Sequence, residues 1–445
     1  MNRQNPNSFQ FCESLNDIPQ RVILHEGDRL NLASGQYEVK KALGNGGFGS
    51  VVGIENKEGQ VFALKVLDLY KAMPNDFEQM KKRFLQGFKA GQLQSPYLVK
   101  NYFMGNVAGN PYLIMEYCRR GNLTQQIKEF ASEDSYSGLG INILKGLHDL
   151  HSNGIIHRDI KPDNVLFDQD FSPKLSDFDI SGFVRSRLTS KNWFGGAAEI
   201  WGTLLYAPPE QLNRAKSYKM VKPSMDMFAF GVTMYETISQ GKHPFAGPNK
   251  LEENPVEYIE KVKKGRSTPI AQYRPNVSPV WQNILEKCLR PNPKNRMQTP
   301  SEALVQLDET LVRKRVRTYP TNAKFGLQVM NGEEVGKIYD LSAIRSQTGK
   351  NIIKIGRQEG GRNDIGILES ITSYVSRKHL TLEYNSQKWL ARDGQFVKTE
   401  NGPAWKRSLN GTALNGKDID DRAGGLLMPG DIISIGETTL KFKVL

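Results

Sequence analysis

Residues 157–164 read His-Arg-Asp-Ile-Lys-Pro-Asp-Asn and run into the apolar Val165-Leu166-Phe167. Asp159, Lys161 and Asn164 therefore share one short polar loop ahead of a strand. A carboxylate there can orient an attacking hydroxyl and accept its proton. A lysine two residues on can neutralise charge on a phosphoryl group in transit. An asparagine amide oxygen can hold a hard cation such as Mg²⁺. Asp177, thirteen residues after Asn164 within Ser-Asp-Phe-Asp-Ile-Ser, adds a second oxygen ligand of the same class.

Two upstream features suit the same chemistry. Gly44-Asn45-Gly46-Gly47-Phe48-Gly49-Ser50-Val51 is a glycine loop whose backbone can approach phosphate oxygens with no Cβ in the way. Fourteen residues past Val51, Lys65 lies inside the apolar run Val-Phe-Ala-Leu-Lys-Val-Leu. An ammonium buried there is costly without a partner, and a nucleotide phosphate is a suitable one.

Positioning these groups requires strands first and helices later. From Tyr37 to Leu69 the pattern is strand-like, with Lys57-Glu58-Gly59 as a turn. Pro74-Asn75-Asp76 opens a helical stretch, with Asn75 or Asp76 as its cap. Residues 97–105 and 111–118 read as two more strands. After Asn122 the character is mostly helical to about Val316. Beyond residues 317–325 short strands are punctuated by glycine and asparagine turns to Leu445, the pattern of a β-sandwich.

The 445 residues suffice for two or three domains, and 38% hydrophobic with 24% charged residues suits a folded chain. No apolar run approaches the roughly eighteen residues of a membrane span. The polar N-terminus lacks the apolar core of a signal peptide. Cys12, Cys118 and Cys288 stand apart with no metal-ligand spacing, which fits free thiols in a reducing compartment. These features predict a cytoplasmic protein. The net charge of +13 is dispersed, and its densest cluster, 312–320, is too short to predict specific nucleic-acid binding.

In number, order and spacing, the motifs over about residues 37–315 resemble those of the eukaryotic-like (Hanks-type) protein serine/threonine kinases. The resemblance implies ATP and Mg²⁺ as cofactors and protein Ser/Thr hydroxyls as acceptors. By it, Lys65 would hold the α- and β-phosphates, Asp159 would be the catalytic base and Lys161 the γ-phosphate contact. Asn164 and Asp177 would bind Mg²⁺. Gly44, Gly46, Gly49, Val51, Ala63, Met115 and Glu116 would surround the nucleotide. Residues 202–210, Gly-Thr-Leu-Leu-Tyr-Ala-Pro-Pro-Glu, look like the end of an activation segment, with Thr203 near the base. Glu210 would pair with Arg296, and Asp226 would brace the catalytic loop. An arginine at position 158 often meets a phosphate on that segment, where Arg185, Arg187 and Lys191 surround Thr189 and Ser190. Autophosphorylation is expected at Thr189 or Ser190. The sequence departs from the family in two places. Asp179 replaces the glycine after Asp-Phe, and the helix position that should carry a glutamate opposite Lys65 holds Gln86 or Gly87, with Glu78 more than two turns too early.

In the C-terminal part, Arg357, Ser376, Arg377 and Asn410 fall in loops or at strand ends. Guanidinium, hydroxyl and amide are the donors a phosphate dianion attracts. The set Gly-Arg, Ser-x-x-His and Asn-Gly-Thr-x-Leu-Asn-Gly is similar to the forkhead-associated domain, which binds phosphothreonine peptides. Arg357 and Ser376 would touch the phosphate, Arg377 would assist and Asn410 would hold the peptide backbone. His379 would tie down the loop. Leu409 stands where many relatives carry a polar residue.

The expected fold is an α+β bilobal protein kinase fold followed by an all-β forkhead-associated β-sandwich. The expected layout is an N-terminal arm (1–36), a kinase domain (37–315, small lobe about 37–117, large lobe about 118–315), a linker (316–324) and the forkhead-associated domain (325–445). Expected partners are protein substrates and phosphothreonine peptides. The chain's own phosphorylated segments around Thr189, Thr318 or Thr321 are included, with self-association through the C-terminal domain as one consequence. The alternative is a pseudokinase scaffold that binds nucleotide and recruits phosphoproteins through the C-terminal domain.

Overall fold

The computed structural model describes residues 8–10, 18–46, 49–178, 204–212, 221–247, 254–312, 319, 323–359, 362–369, 374–400, 402–421 and 423–445. Thr189, Ser190, Asp179, Thr203, Thr318 and Thr321 lie outside them. The chain divides into two compact units, one of residues 1–146, 157–206 and 236–253, the other of residues 147–156, 207–235 and 254–445.

The first unit is built on a seven-stranded sheet. From one edge, the strands are Ser8–Gln10, Arg29–Leu32, Gly35–Gly46, Gly49–Asn56, Val61–Leu67, Asn110–Glu116 and Asn101–Val107. Alternation sorts the side chains. Val52, Leu64, Val66 and Ile114 join Leu30, Val39 and Tyr112 in one apolar core. Cross-strand pairing puts Val51 opposite Lys65 and Ala63 opposite Met115, so these four share the other face. Helix Phe77–Ala90 covers part of that second face, burying Met80 and Phe84 against Leu67 and Leu113.

Two details differ from the sequence reading. The residues ahead of Tyr37 are not simply an arm, because Arg29–Leu32 pairs antiparallel with Gly35–Gly46 and buries Leu30 and Leu32. A four-residue strand is too short to stand out as periodic. The helix start is also different. Pro74–Asp76 forms a separate 3-10 turn, and Asp76 at the N-cap position makes no capping bond with its side chain.

In the second unit, helices Pro255–Lys264, Pro279–Cys288 and Pro300–Leu307 all begin with proline. They are capped by the side chains of Asn254, Ser278 and Thr299. The C-terminal part is a sandwich of a six-stranded and a five-stranded sheet. Leu327, Ile353, Ile355, Leu380, Leu382, Ile433, Leu440 and Phe442 are fully buried in its core. A two-stranded hairpin, Gln395–Thr399 with Gly402–Lys406, forms a separate small sheet. The sandwich also contains a helix the sequence reading missed, Leu341–Thr348. It is capped by Asp340 and closed by left-handed Gly349. Among the described residues, no helix is long and apolar enough to cross a membrane.

Candidate active site and phosphate-recognition site

Asn164 and Asp177 are brought together by a hairpin. Val165–Phe167 pairs with Pro173–Leu175, and the Ser176 N–H donates to Asn164 O at 2.9 Å. The thirteen-residue separation thus closes on itself and sets both residues at one end of the hairpin. Asn164 Nδ2 donates to the main-chain O of Asp159 (2.8 Å) and to its Oδ2 (2.9 Å). That commits the amide nitrogen and leaves Oδ1 as the group a cation would use. Lys161 Nζ lies 3.1 Å from the same Asp159 Oδ2. Asp159 and Lys161 therefore form one ion pair, with Asp159 only 6% exposed.

Lys65 reaches this cluster from its strand, and its ammonium donates to Asp177 Oδ1. The sequence suggested a phosphate as its partner; the structure supplies the Asp177 carboxylate. Burial works to raise the Asp177 carboxyl, but Lys65, by charge and hydrogen bond, and Lys161 beyond it outweigh that. The group sits below the ordinary carboxylate range. Gln86 is half-buried on its helix, whereas Glu78 is exposed and lies 3.6 Å from Lys81. Arg158 and Asp177 both hold left-handed backbone, at φ 69° and 61°. Such strain in non-glycine residues concentrates at functional sites. The His157 ring packs edge-on to Phe178 at 5.4 Å.

The donor set suits Mg²⁺. Asn164 Oδ1 and the Asp177 carboxylate are hard oxygens, and among the described residues no group of three or more His, Cys, Asp or Glu could hold a metal alone. Mg²⁺ is typically held by one or two carboxylates, with phosphates and water completing the octahedron.

The glycines of the loop differ in their surroundings. Gly44 faces Val51 and Gly46 faces Gly49 across the hairpin. A Cβ on Gly44 would meet nothing within 4 Å, whereas one on Gly49 would lie 2.2 Å from Val66 O. Gly49 is therefore required by the neighbouring strand whatever else it contacts. At the end of strand Asn110–Glu116, Glu116 Oε1 accepts from Lys174 Nζ at 2.6 Å, an anchor the sequence reading did not include.

Glu210 and Arg296 do pair, as expected. Nη1 and Nη2 of Arg296 donate to the two carboxylate oxygens at 2.7 and 2.9 Å. Asp226 is fully buried, with Oδ2 2.7 Å from His151 Nε2.

In the sandwich, Arg357 ends strand Ile352–Arg357, and its main-chain N–H donates to Ser376 O at 3.0 Å. Asn410 Nδ2 donates to Tyr374 O at 2.7 Å, and Ser376 Oγ accepts from the Leu409 N–H at 2.9 Å. Three of the four predicted residues are thus tied into one set of loops. Two of their polar atoms, Arg357 Nε and Asn410 Oδ1, are buried with no hydrogen-bond partner among the described residues. Arg377 is exposed, and its main-chain O accepts from Asn363 Nδ2 at 2.8 Å. Leu409 is 79% exposed. The sequence reading missed Asn363 and Gln395. Gln395 Nε2 donates to Asn363 Oδ1 and to Ile355 O, bracing the loops from below. Neither residue lies in a recognisable motif.

His379 is a tie, as expected. Nδ1 accepts from the Ser376 N–H at 2.9 Å and Nε2 lies 3.0 Å from Gly411 O, so the neutral ring joins the two loops. Burial lowers its pKa below the ordinary 6.5, against the upward pull of the Gly411 carbonyl and Asp393. Above that ordinary value both folded and unfolded states are neutral, and the contribution is complete. As pH falls through it the unfolded chain takes the proton first, and stability is lost. The urea midpoint of the sandwich transition should fall between pH 7 and pH 5. His379→Gln should flatten that slope; an equal slope in the variant would assign it elsewhere.

The protein kinase domain family model matches residues 37–306, and the FHA domain model matches residues 353–436. Ribosomal protein S6 kinase alpha-3 of Mus musculus is 32% identical over 269 residues, covering 59% of this chain and 33% of that protein. Calcium-dependent protein kinase 5 of Plasmodium berghei (strain Anka) is 31% identical over 287 residues, 63% of this chain and 46% of that protein. The chain thus spans about a third of the length of the first of these relatives and under half of the second. With the kinase model covering more than half of it, the chain belongs to the protein kinase family and carries a forkhead-associated domain at its C-terminal end.

Proposed function

We propose that the protein is a serine/threonine kinase that transfers the γ-phosphoryl group of ATP, with Mg²⁺, to protein hydroxyls. Its own activation segment at Thr189 or Ser190 would be among the acceptors, and its C-terminal domain would bind phosphothreonine peptides. The observation that carries this reading is the convergence of Lys65, Asp159, Lys161, Asn164 and Asp177 in one cluster. A scaffold without catalysis has no need of both a base and two metal ligands.

Each side chain has a task the geometry suits. Asp159 Oδ2, fixed by Lys161 and Asn164, can accept the proton of an incoming hydroxyl and orient its oxygen. Lys161 offers positive charge beside that oxygen, where negative charge collects on the transferred group. Mg²⁺, held by Asn164 and Asp177, would neutralise phosphate charge. Lys65 is at present neutralised by Asp177, so phosphates entering the site compete with that carboxylate for its ammonium. Val51, Ala63 and Met115 supply an apolar wall beside Lys65 for a flat base.

The test is transfer from labelled ATP to a serine/threonine peptide, with Mg²⁺ and with chelator. Phosphosites would be mapped on the chain itself. Incorporation that needs Mg²⁺ and includes residue 189 or 190 is expected. ATP binding with no transfer under any condition would overturn the catalytic reading.

For the second module, Arg357 Nε and Asn410 Oδ1 are buried polar atoms with no partner among the described residues. A phosphothreonine peptide offers an acceptor to the first and a main-chain N–H to the second. Charge-assisted hydrogen bonds contribute about 1.5–3 kcal/mol. Arg357→Ala should therefore weaken phosphothreonine-peptide binding about 10- to 100-fold by fluorescence anisotropy. An unchanged Kd would place the phosphate elsewhere.

A further inference from the structure

Within the second unit the sandwich is docked on the helical part of the chain. Thr439 Oγ1 donates to Gly154 O at 2.9 Å in a buried contact, and the Val221 N–H donates to Gly436 O at 3.3 Å. Lys222 pairs with Asp418, and Lys417 with Glu302 at 3.2 Å. Glycines permit the close approach. A Cβ on Gly154 would lie 2.7 Å from Thr439 Oγ1, and one on Gly416 would lie 3.1 Å from the Pro223 ring. Beneath the contact, Ile156, Val221 and Met225 form an apolar cluster of their own. Ile156 immediately precedes His157 in the sequence.

The docked turn also touches the phosphate-recognition loops. Gly436 joins strands Ile432–Ile435 and Thr438–Val444. A Cβ on it would lie 2.8 Å from Tyr374 Cβ and 3.1 Å from the Tyr374 carbonyl carbon. Tyr374 O is the acceptor that holds Asn410, and Ser376 follows two residues later. One turn therefore bonds Val221 with its carbonyl and packs on the Tyr374–Ser376 loop with its backbone.

We infer that phosphothreonine binding and docking of the sandwich are coupled in this chain through the Gly436 turn. An occupied pocket fixes Tyr374–Ser376, that segment fixes the turn, and the fixed turn holds Val221 and the 153–156 segment. The coupling is reciprocal, so loosening the docked face weakens peptide binding by the factor with which the peptide strengthens docking. The inference rests on the phosphothreonine reading of the pocket.

The test uses the full chain, a degenerate phosphothreonine peptide pool and its unphosphorylated counterpart. Lys222→Glu reverses a charge that belongs to neither proposed site and sets it against Asp418. Peptide binding should weaken at least threefold, and Lys222→Glu with Asp418→Lys should restore it. In wild type the phosphopeptide should slow amide exchange at residues 153–156 and 221–225, and it should not do so in Arg357→Ala. Wild-type binding with neither effect overturns the coupling while leaving the pocket intact. No binding to wild type at all removes the phosphothreonine reading, and the coupling with it.

Discussion

Asp159→Asn should lower kcat for phosphoryl transfer by about 10²–10⁴-fold, the range for loss of a positioned general base. The substitution is nearly isosteric. Its amide oxygen can still accept from Asn164 Nδ2, and the main-chain carbonyl that takes the other Asn164 bond is untouched. What disappears is the negative charge beside Lys161 and the capacity to take a proton. The fold and the Lys65–Asp177 pair should survive, so the loss should appear in kcat with the KM for nucleotide little changed. Asp177→Asn should behave differently. It removes the counter-ion of Lys65 and the proposed cation ligand together, so nucleotide affinity in Mg²⁺ should fall as well as kcat. Steady-state kinetics with varied ATP separates the two. A kcat for Asp159→Asn within threefold of wild type would exclude Asp159 as the base.

Much of this site was legible because its residues are clustered in sequence. Asp159, Lys161 and Asn164 fall within six positions, and a loop that short cannot disperse them. Asp177 was legible as an oxygen ligand by type. Its placement beside Asn164 depends on the Val165–Phe167 and Pro173–Leu175 pairing, two strands of three residues each. Lys65 was marked by the cost of an ammonium in an apolar strand, but its partner was not. A carboxylate 112 residues away leaves no trace in local pattern. Gln395 and Asn363 were invisible for a related reason. They act through hydrogen bonds to main-chain carbonyls, and any amide at a suitable place could do so.

The fold followed the same rule. The apolar runs in Val61–Leu67 and Asn110–Glu116 were long enough to read as strands, while their faces follow from the sheet pairing. Arg29–Leu32 alternates, but over two repeats only, and sheet pairing decides it. The helix Leu341–Thr348 carries a readable cap at each end, Asp340 and Gly349. It was passed over because the surrounding turn-rich pattern set the expectation of strands alone. Gly49 shows the converse. Its glycine was read as a phosphate feature, and the carbonyl of Val66 is sufficient reason for it.

Arg296→Met should destabilise the second unit by about 3–5 kcal/mol, the usual cost of breaking a buried ion pair from one side. The Arg296 side chain is 0% exposed. All five of its N–H groups have acceptors: Glu210 takes two, and the carbonyls of Arg290, Ser224 and Pro291 take the rest. Its guanidinium carbon also lies 5.0 Å over the Phe228 ring. Methionine fills part of the volume and satisfies none of these acceptors. The Glu210 carboxylate, 23% exposed, keeps some access to water. A double replacement, Glu210→Met with Arg296→Met, removes the stranded charge but still loses the arginine's hydrogen bonds to three carbonyls. It should therefore recover part of the loss and not all of it. Urea denaturation followed by tryptophan fluorescence measures this directly, since Trp281 is buried in the same unit. A single variant within about 1 kcal/mol of wild type would mean that water replaces the arginine at little cost, as at a surface pair. A double variant as unstable as the single one would assign the whole penalty to the three carbonyls and none to the charge left on Glu210.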